Sequence, residues 1–191
     1  MKSTTLRSVF VAMFAALISI GCFIAVPLGP GGIPIVLQNM MVILSACLLG
    51  NIQGAASVGL FLAAGALGLP VYAGGTGGFG HLVGPTGGFL IGYFFGALAA
   101  GLIAGTPKAN EKSIQQLLRL LLAAVSGYVI IYIPGILQFM HLKQTSFALT
   151  VAGCVIPFLP GDLIKLCITV PLAAKLRPVI AQYLYSESEE L

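Results

Sequence analysis

Asp162 and Lys165 stand three residues apart inside PFLPGDLIKLCITVPLAAKL, an otherwise apolar segment. Charged residues make up only 7% of the 191-residue chain, so two opposite charges within one apolar run need a reason. A charge at membrane depth costs roughly 2.5–3.5 kcal/mol on insertion scales unless a partner or a polar cavity receives it. At a spacing of i, i+3 the two side chains share one helix face. Two arrangements satisfy them: a polar pocket with a ligand, or a buried structural ion pair. Pro160 suits a first helical turn. Asp162 then lies where the positive end of the helix dipole favours a carboxylate, and Lys165 follows one turn deeper.

Other polar residues interrupt apolar runs. Gln38 and Asn39 break the second one, where amides either bond across helices or face a ligand. Tyr93 supplies a hydroxyl or a stacking face in the fourth. Tyr128 and Tyr132 approach one end of the fifth, a usual place for interface anchors. The glycine-rich loop GGTGGFGHLVGPTGG, residues 74–88, has wide backbone freedom, and exposed amides at Gly74, Gly75 and Gly78 are candidates to line a site. No Lys or Arg accompanies those glycines, which argues against a phosphate cradle. His81 and His141 lack a carboxylate or Cys at ligand spacing, so neither a metal nor a catalytic role is expected. No nucleophile–base arrangement suggests an enzyme.

These residues must be held by helices. The chain is 58% apolar, with 25 glycines and no tryptophan, and a soluble domain of this size would carry far more charge. We read it as an all-α polytopic membrane protein, one transmembrane domain over residues 1–191. Six spans are expected at 8–26, 33–49, 52–69, 87–104, 114–133 and 159–176, each near the ~20 residues that a bilayer core requires. Pro27, Gly29, Pro30, Gly31 and Gly32 mark the first loop, and Gly50-Asn51 a very short second turn. Pro134-Gly135 is expected to break the fifth helix. The apolar stretch from Phe147 to Ile156 is too short to span and reads as an external or re-entrant helix over the bundle. With a cytoplasmic N-terminus, Lys2, Arg7, Lys108, Lys112, Arg119, Lys175 and Arg177 fall inside and Lys143 alone outside, so the positive-inside rule places both termini in the cytoplasm. The acidic Glu187, Glu189 and Glu190 read as a solvated tail.

Gly88, Gly92, Gly96, Ala100 and Ala104 form a small-residue stripe at spacing four on the fourth span, suited to close helix packing. Ala12 and Ala16 repeat the spacing on the first span, as packing or as a docking face. Cys22, Cys47, Cys154 and Cys167 show neither paired nor metal-ligand spacing and read as packing residues. Lys2, Arg7 and the following apolar run imitate a signal peptide, but residues 8–26 read as a retained helix. No phosphate-loop pattern is present, so ATP-driven work would need a partner. The net charge of +4 comes from residues scattered at helix ends, which argues against nucleic acid.

The segments IPIVLQ (33–38), GLPVYAGGTGG (68–78), LVGPTGGFLIGY (82–93) and PFLPGDLIK (157–165) together resemble the BioY family, the biotin-specific S components of energy-coupling factor (ECF) transporters. The resemblance implies a six-helix S-component bundle in a prokaryotic cell membrane that captures biotin from outside with high affinity. It implies no catalytic activity and no resident cofactor. Its partners would be a transmembrane coupling protein, EcfT, and two cytosolic ATPases. Ala12 and Ala16 would dock on the coupling protein, and ATP hydrolysis would topple the subunit to release biotin inside. Asp162 and Lys165 match the family's acidic and basic binding positions. Biotin offers two ureido N–H donors, one carbonyl acceptor, an apolar thiophane and a carboxylate tail. Asp162 suits the N–H groups, Lys165 suits the carbonyl, the tail or Asp162 itself, and Tyr93 suits the rings. An S component for another vitamin, or a membrane scaffold with a purely structural Asp–Lys pair, would share much of this pattern.

Overall fold

A computed structural model describes residues 2–26, 35–108 and 114–185. The glycine–proline loop at 27–32, most of the polar loop before Ile114 and the acidic tail lie outside the described residues. The elements are α1 (Lys2–Ile20), β1 (Ala25–Val26), β2 (Ile35–Val36), α2 (Gln38–Ala66), α3 (Gly80–Val83), α4 (Gly87–Ala104), α5 (Ile114–Lys143), α6 (Phe147–Cys154) and α7 (Leu159–Tyr185). The two short strands pair antiparallel, Ala25 opposite Val36 and Val26 opposite Ile35. The rest of the described residues are helical or loop.

Among the described residues three helices, α2, α4 and α5, are long and apolar enough to cross a membrane, and a fourth is obtained when α6 and α7, bent by 54° at their junction, are taken as one span. The six expected segments map onto fewer continuous helices because the second and third are arms of α2. The arms meet at Gly50, whose φ of 81° and ψ of −169° break the helical path. A side chain is rarely accommodated at that φ, which is why glycine occupies the turn. The arms then fold back on each other. A Cβ on Gly54 would stand 2.7 Å from the Ala46 backbone, so only glycine permits this approach.

The small-residue stripe on α4 packs as expected. A Cβ on Gly88 would collide with the Pro134 carbonyl, one on Gly92 with the Ile131 carbonyl, and one on Gly96 would come within 2.7 Å of the Gly127 carbonyl. Ala100 and Ala104 continue the stripe, fully buried. Helix α4 therefore lies directly on the α5 backbone, the close contact that small residues allow in membranes.

Pro134 does not end the fifth helix, which runs on to Lys143. Proline removes one helical hydrogen bond, but a packed neighbour tolerates the fault, and Gly88 of α4 sits against this turn. The helix stops instead at Gln144, whose φ is 52°. The Ser146 hydroxyl then accepts from the Leu149 N–H and caps α6, the short helix expected over the bundle. Helix α7 begins at Leu159 as expected but continues beyond residue 176, through Pro171 and Pro178.

The outer surface is apolar. Leu118, Leu122, Val129, Ile133 and Leu137 of α5 are exposed, as are Leu163, Ile164 and Ile168 of α7. Such a surface suits lipid, and the chain is a membrane protein. Cys22, Cys47 and Cys154 are buried, whereas Cys167 is exposed on α7 and does not pack inside. Arg177, expected only as an orientation charge, is fully buried. Its guanidinium donates to the carbonyls of Cys47 at 2.5 Å, Ala104 at 3.0 Å, Gly105 at 3.1 Å and Thr106 at 3.0 Å. It ties the end of the first α2 arm and the end of α4 to α7, satisfying helix-terminal carbonyls that have no partner of their own.

Candidate binding site

Asp162 lies in the first turn of α7, its N–H bonded to the Phe158 carbonyl at 2.8 Å. Lys165 is one turn on, and its ammonium stands 3.2 Å from Asp162 Oδ1, with both side chains 8% exposed. Three further elements close around the pair. Strand β2 presents the Val36 carbonyl, 2.9 Å from Lys165 Nζ. The start of α2 presents Asn39, whose Oδ1 accepts from Lys165 at 2.8 Å and whose Nδ2 donates to Asp162 Oδ1 at 2.8 Å. Helix α5 presents Tyr132, whose hydroxyl donates to Asp162 Oδ2. Burying two charges is costly unless the pair is close and its remaining donors and acceptors are satisfied. Here the three Lys165 protons have three acceptors and both Asp162 oxygens have donors.

A cavity of about 270 Å³ opens beside this network. Lys165, Asn39 and Gln38 contribute its polar wall, while Phe89, Tyr93, Tyr128, Tyr132 and Phe158 make much of the rest. The volume is near the lower end of small-molecule sites, roughly 300–1,000 Å³, and the mixture of apolar surface with a few fixed polar groups is typical of them. The rings brace one another: Phe89 and Tyr132 meet edge to face at 6.2 Å, and Phe61 stands 5.6 Å from Tyr72 and 6.5 Å from Tyr93.

The glycine-rich loop forms part of the enclosure through Thr76, His81 and Thr86, joined by Tyr72 and Ala73 just before it. Gly74, Gly75 and Gly78 are not among the lining residues. The φ values of Gly74 and Gly75, 75° and 70°, shape the turn that lets Tyr72 and Thr76 pair, and Gly78, with a φ of 106°, follows just beyond it. Two glutamines fasten the loop to the helices. Gln38 Nε2 donates to the Val71 carbonyl at 2.6 Å, and Gln138 Nε2 donates to the carbonyls of Leu82 at 2.9 Å and Gly84 at 2.7 Å. The Tyr72 hydroxyl adds a bond to the Leu62 carbonyl at 2.7 Å. Burial raises the pKa of this phenol, so it remains a proton donor.

Of the residues singled out in the sequence, Lys165, Gln38 and Tyr93 line the cavity, and Asp162 stands behind Lys165 and Asn39, outside the lining set. Ala12 and Ala16 lie far from this arrangement in role: they are exposed on α1, while Phe14, Ala15 and Ile18 face the bundle. Tyr128 and Tyr132, one helical turn apart and in a usual place for interface anchors, instead line the cavity, as does His81. Their i, i+4 spacing, which places both on one helix face, was the available signal. Among the described residues no group of His, Cys, Asp or Glu is placed to hold a metal.

Comparison with known proteins agrees with this architecture. The family model described as the BioY family matches residues 1–182. A biotin transporter BioY of Rhodobacter capsulatus is 39% identical, over 95% of this chain and 94% of that protein. One from Thermotoga maritima is 39% identical, over 86% and 92% respectively. The crystal structure of the S-component for biotin from an ECF-type ABC transporter superposes with a TM-score of 0.77 at 29% identity, covering 91% of this chain and 92% of that one. With the family model matching residues 1–182 and a relative 39% identical over 95% of the chain, the chain belongs to the BioY family.

Proposed function

We propose that this chain is the biotin-binding membrane subunit of an ECF-type importer, which captures biotin in the cavity beside Lys165 and passes it inward. The observation that carries the reading is the placement of the PFLPGDLIK segment. Its lysine forms the charged point of an otherwise aromatic and amide-lined cavity of small-molecule size. Biotin has an apolar thiophane and side chain between a ureido group at one end and a carboxylate at the other, and a wall that mixes aromatic surface with a few polar groups complements it. The relatives named as biotin transporters point to the same ligand.

The proposed topology has six crossings: α1, the two arms of α2, α4, α5 and α7. The antiparallel fold of α2 at Gly50 supports counting its arms separately. Arg177 and Arg119 lie at the end of the bundle that holds Gly105, and the cavity lies toward the other end of α7. By the positive-inside rule the arginine end is cytoplasmic, so the cavity faces outward and both termini lie inside the cell. The exposed Ala12 and Ala16 are the proposed contact with the transmembrane coupling protein, which would join this subunit to two ATPases. Gly74, Gly75 and Gly78 act in this reading by shaping the loop over the ligand, and Asp162 by holding Lys165 and Asn39.

Uptake of labelled biotin into cells that lack their own biotin transporter, with and without this chain beside a coupling protein and ATPases, tests the reading. Biotin accumulation that depends on the chain is expected, together with competition by unlabelled biotin and none by other vitamins. Uptake of a different vitamin in its place would replace biotin as the substrate.

A further inference from the structure

Helix α3 forms one edge of the cavity through His81, with Thr86 just beyond it. None of its four residues is buried. Leu82 packs partly against the core, and the His81 ring meets the Tyr72 ring edge to face at 6.0 Å. An element with so little buried apolar surface belongs to the low end of local stability, so whatever ties it to the bundle decides how often it opens.

That tie is Gln138. Its Nε2 donates to the Leu82 carbonyl at 2.9 Å and to the Gly84 carbonyl at 2.7 Å, either side of the last residue of α3. Only the NH2 end of the amide can face two carbonyls, so its orientation is fixed. The side chain stands on α5, one turn beyond Pro134, where α4 and α5 meet backbone to backbone. A Cβ on Gly88 would come within 2.9 Å of Gln138 Cβ, and one on Gly87 would collide with the Leu82 carbonyl and stand 2.8 Å from Gln138 Nε2. The two glycines that end the GPTGG run therefore leave open the passage through which Gln138 reaches α3. On the other side of α3, Gly78 has a φ of 106°, which suits a swivel point. Neither Gln138 nor the two residues it binds lines the cavity.

We propose that Gln138 is a positioning residue, a latch that holds α3 against the bundle and sets how fast biotin enters and leaves without touching it. The inference rests on the biotin reading above. Because the latch lies outside the cavity, it favours the closed form equally with and without ligand. It therefore changes both rates and leaves the affinity nearly alone.

The test compares the purified full-length wild type with Gln138→Met, which keeps the length of the side chain and removes both donors. Association of labelled biotin is followed in time, and dissociation by chase with unlabelled biotin. Both rates are expected to rise at least about fivefold, since each lost bond is worth roughly 0.5–1.5 kcal/mol, while Kd stays within about threefold. Amide hydrogen exchange without biotin should also quicken at least about fivefold over residues 79–84 and stay unchanged in α4 and α5. Gln138→Asn, which withdraws the NH2 by one methylene, should behave in the same way and serves where Gln138→Met does not fold. Unchanged rates and exchange overturn the proposal. So does a weaker affinity with no faster association, which is the mark of a merely structural residue. No binding of biotin by the wild type removes the biotin reading, and the exchange comparison then decides on its own whether Gln138 latches α3.

Discussion

At the scale of single residues, the site separates groups that hold the network from groups that meet the cavity. Tyr132 does both, since it lines the cavity and donates to Asp162. Tyr132→Phe keeps the ring and removes one charge-assisted hydrogen bond, a class worth about 1.5–3 kcal/mol. Biotin affinity should fall roughly tenfold, read by titration, and an unchanged affinity would mean that Asp162 needs no third donor. Asp162→Asn replaces a charge that Lys165 and Asn39 both contact. At least a tenfold loss of affinity, about 1.4 kcal/mol, is expected while the protein stays folded in detergent. A loss of folding with no ligand-specific defect would support a purely structural pair. The Asp162–Lys165 pair was legible in the sequence because opposite charges three apart in an apolar run demand each other. Asn39 and Tyr132 were not legible as their partners. They come from positions 123 and 30 residues away from Asp162, and only the packing of α2 and α5 against α7 brings them in.

Elements obey packing before local propensity. Pro134 reads as a helix breaker, yet α5 continues past it because α4 lies against that turn through Gly88. The stripe on α4 was legible, and so was its purpose. Gly92→Ala should cost about 1–3 kcal/mol, since the added methyl would overlap the Ile131 carbonyl and force α4 from α5. A lowered melting temperature in detergent is the expected result, and an unchanged one would show that the helices separate freely. Arg177 was legible only as a charge. Its four carbonyl bonds span the ends of two helical segments and the loop after α4. Arg177→Met should destabilise the fold by at least roughly 1–3 kcal/mol, the cost of a buried acceptor left without its donor. Arg177→Lys should rescue little, because a point-like ammonium cannot reproduce the spread of a guanidinium. Full stability of Arg177→Lys would contradict the geometric argument.

Across the whole molecule, three surfaces stand apart: an apolar girdle, a cavity beside Lys165, and the exposed Ala12–Ala16 face of α1, which is the proposed docking face. The girdle and the helical class were legible from composition, whereas the shared helix of the second and third segments was not, because its bend depends on one glycine's backbone angles. Substituting Ala12 and Ala16 with Trp should block complex assembly and biotin uptake while leaving biotin binding within about twofold of wild type, because the added bulk meets only a partner at that face. Uptake that persists in this variant would remove the docking role. The central claim, that the cavity beside Lys165 is a biotin site, is tested most directly by titrating biotin into the purified protein in detergent. Saturable binding of one biotin per chain, weakened at least about tenfold by Asp162→Asn, is the predicted result. No saturable binding of biotin by the folded wild-type protein would contradict it.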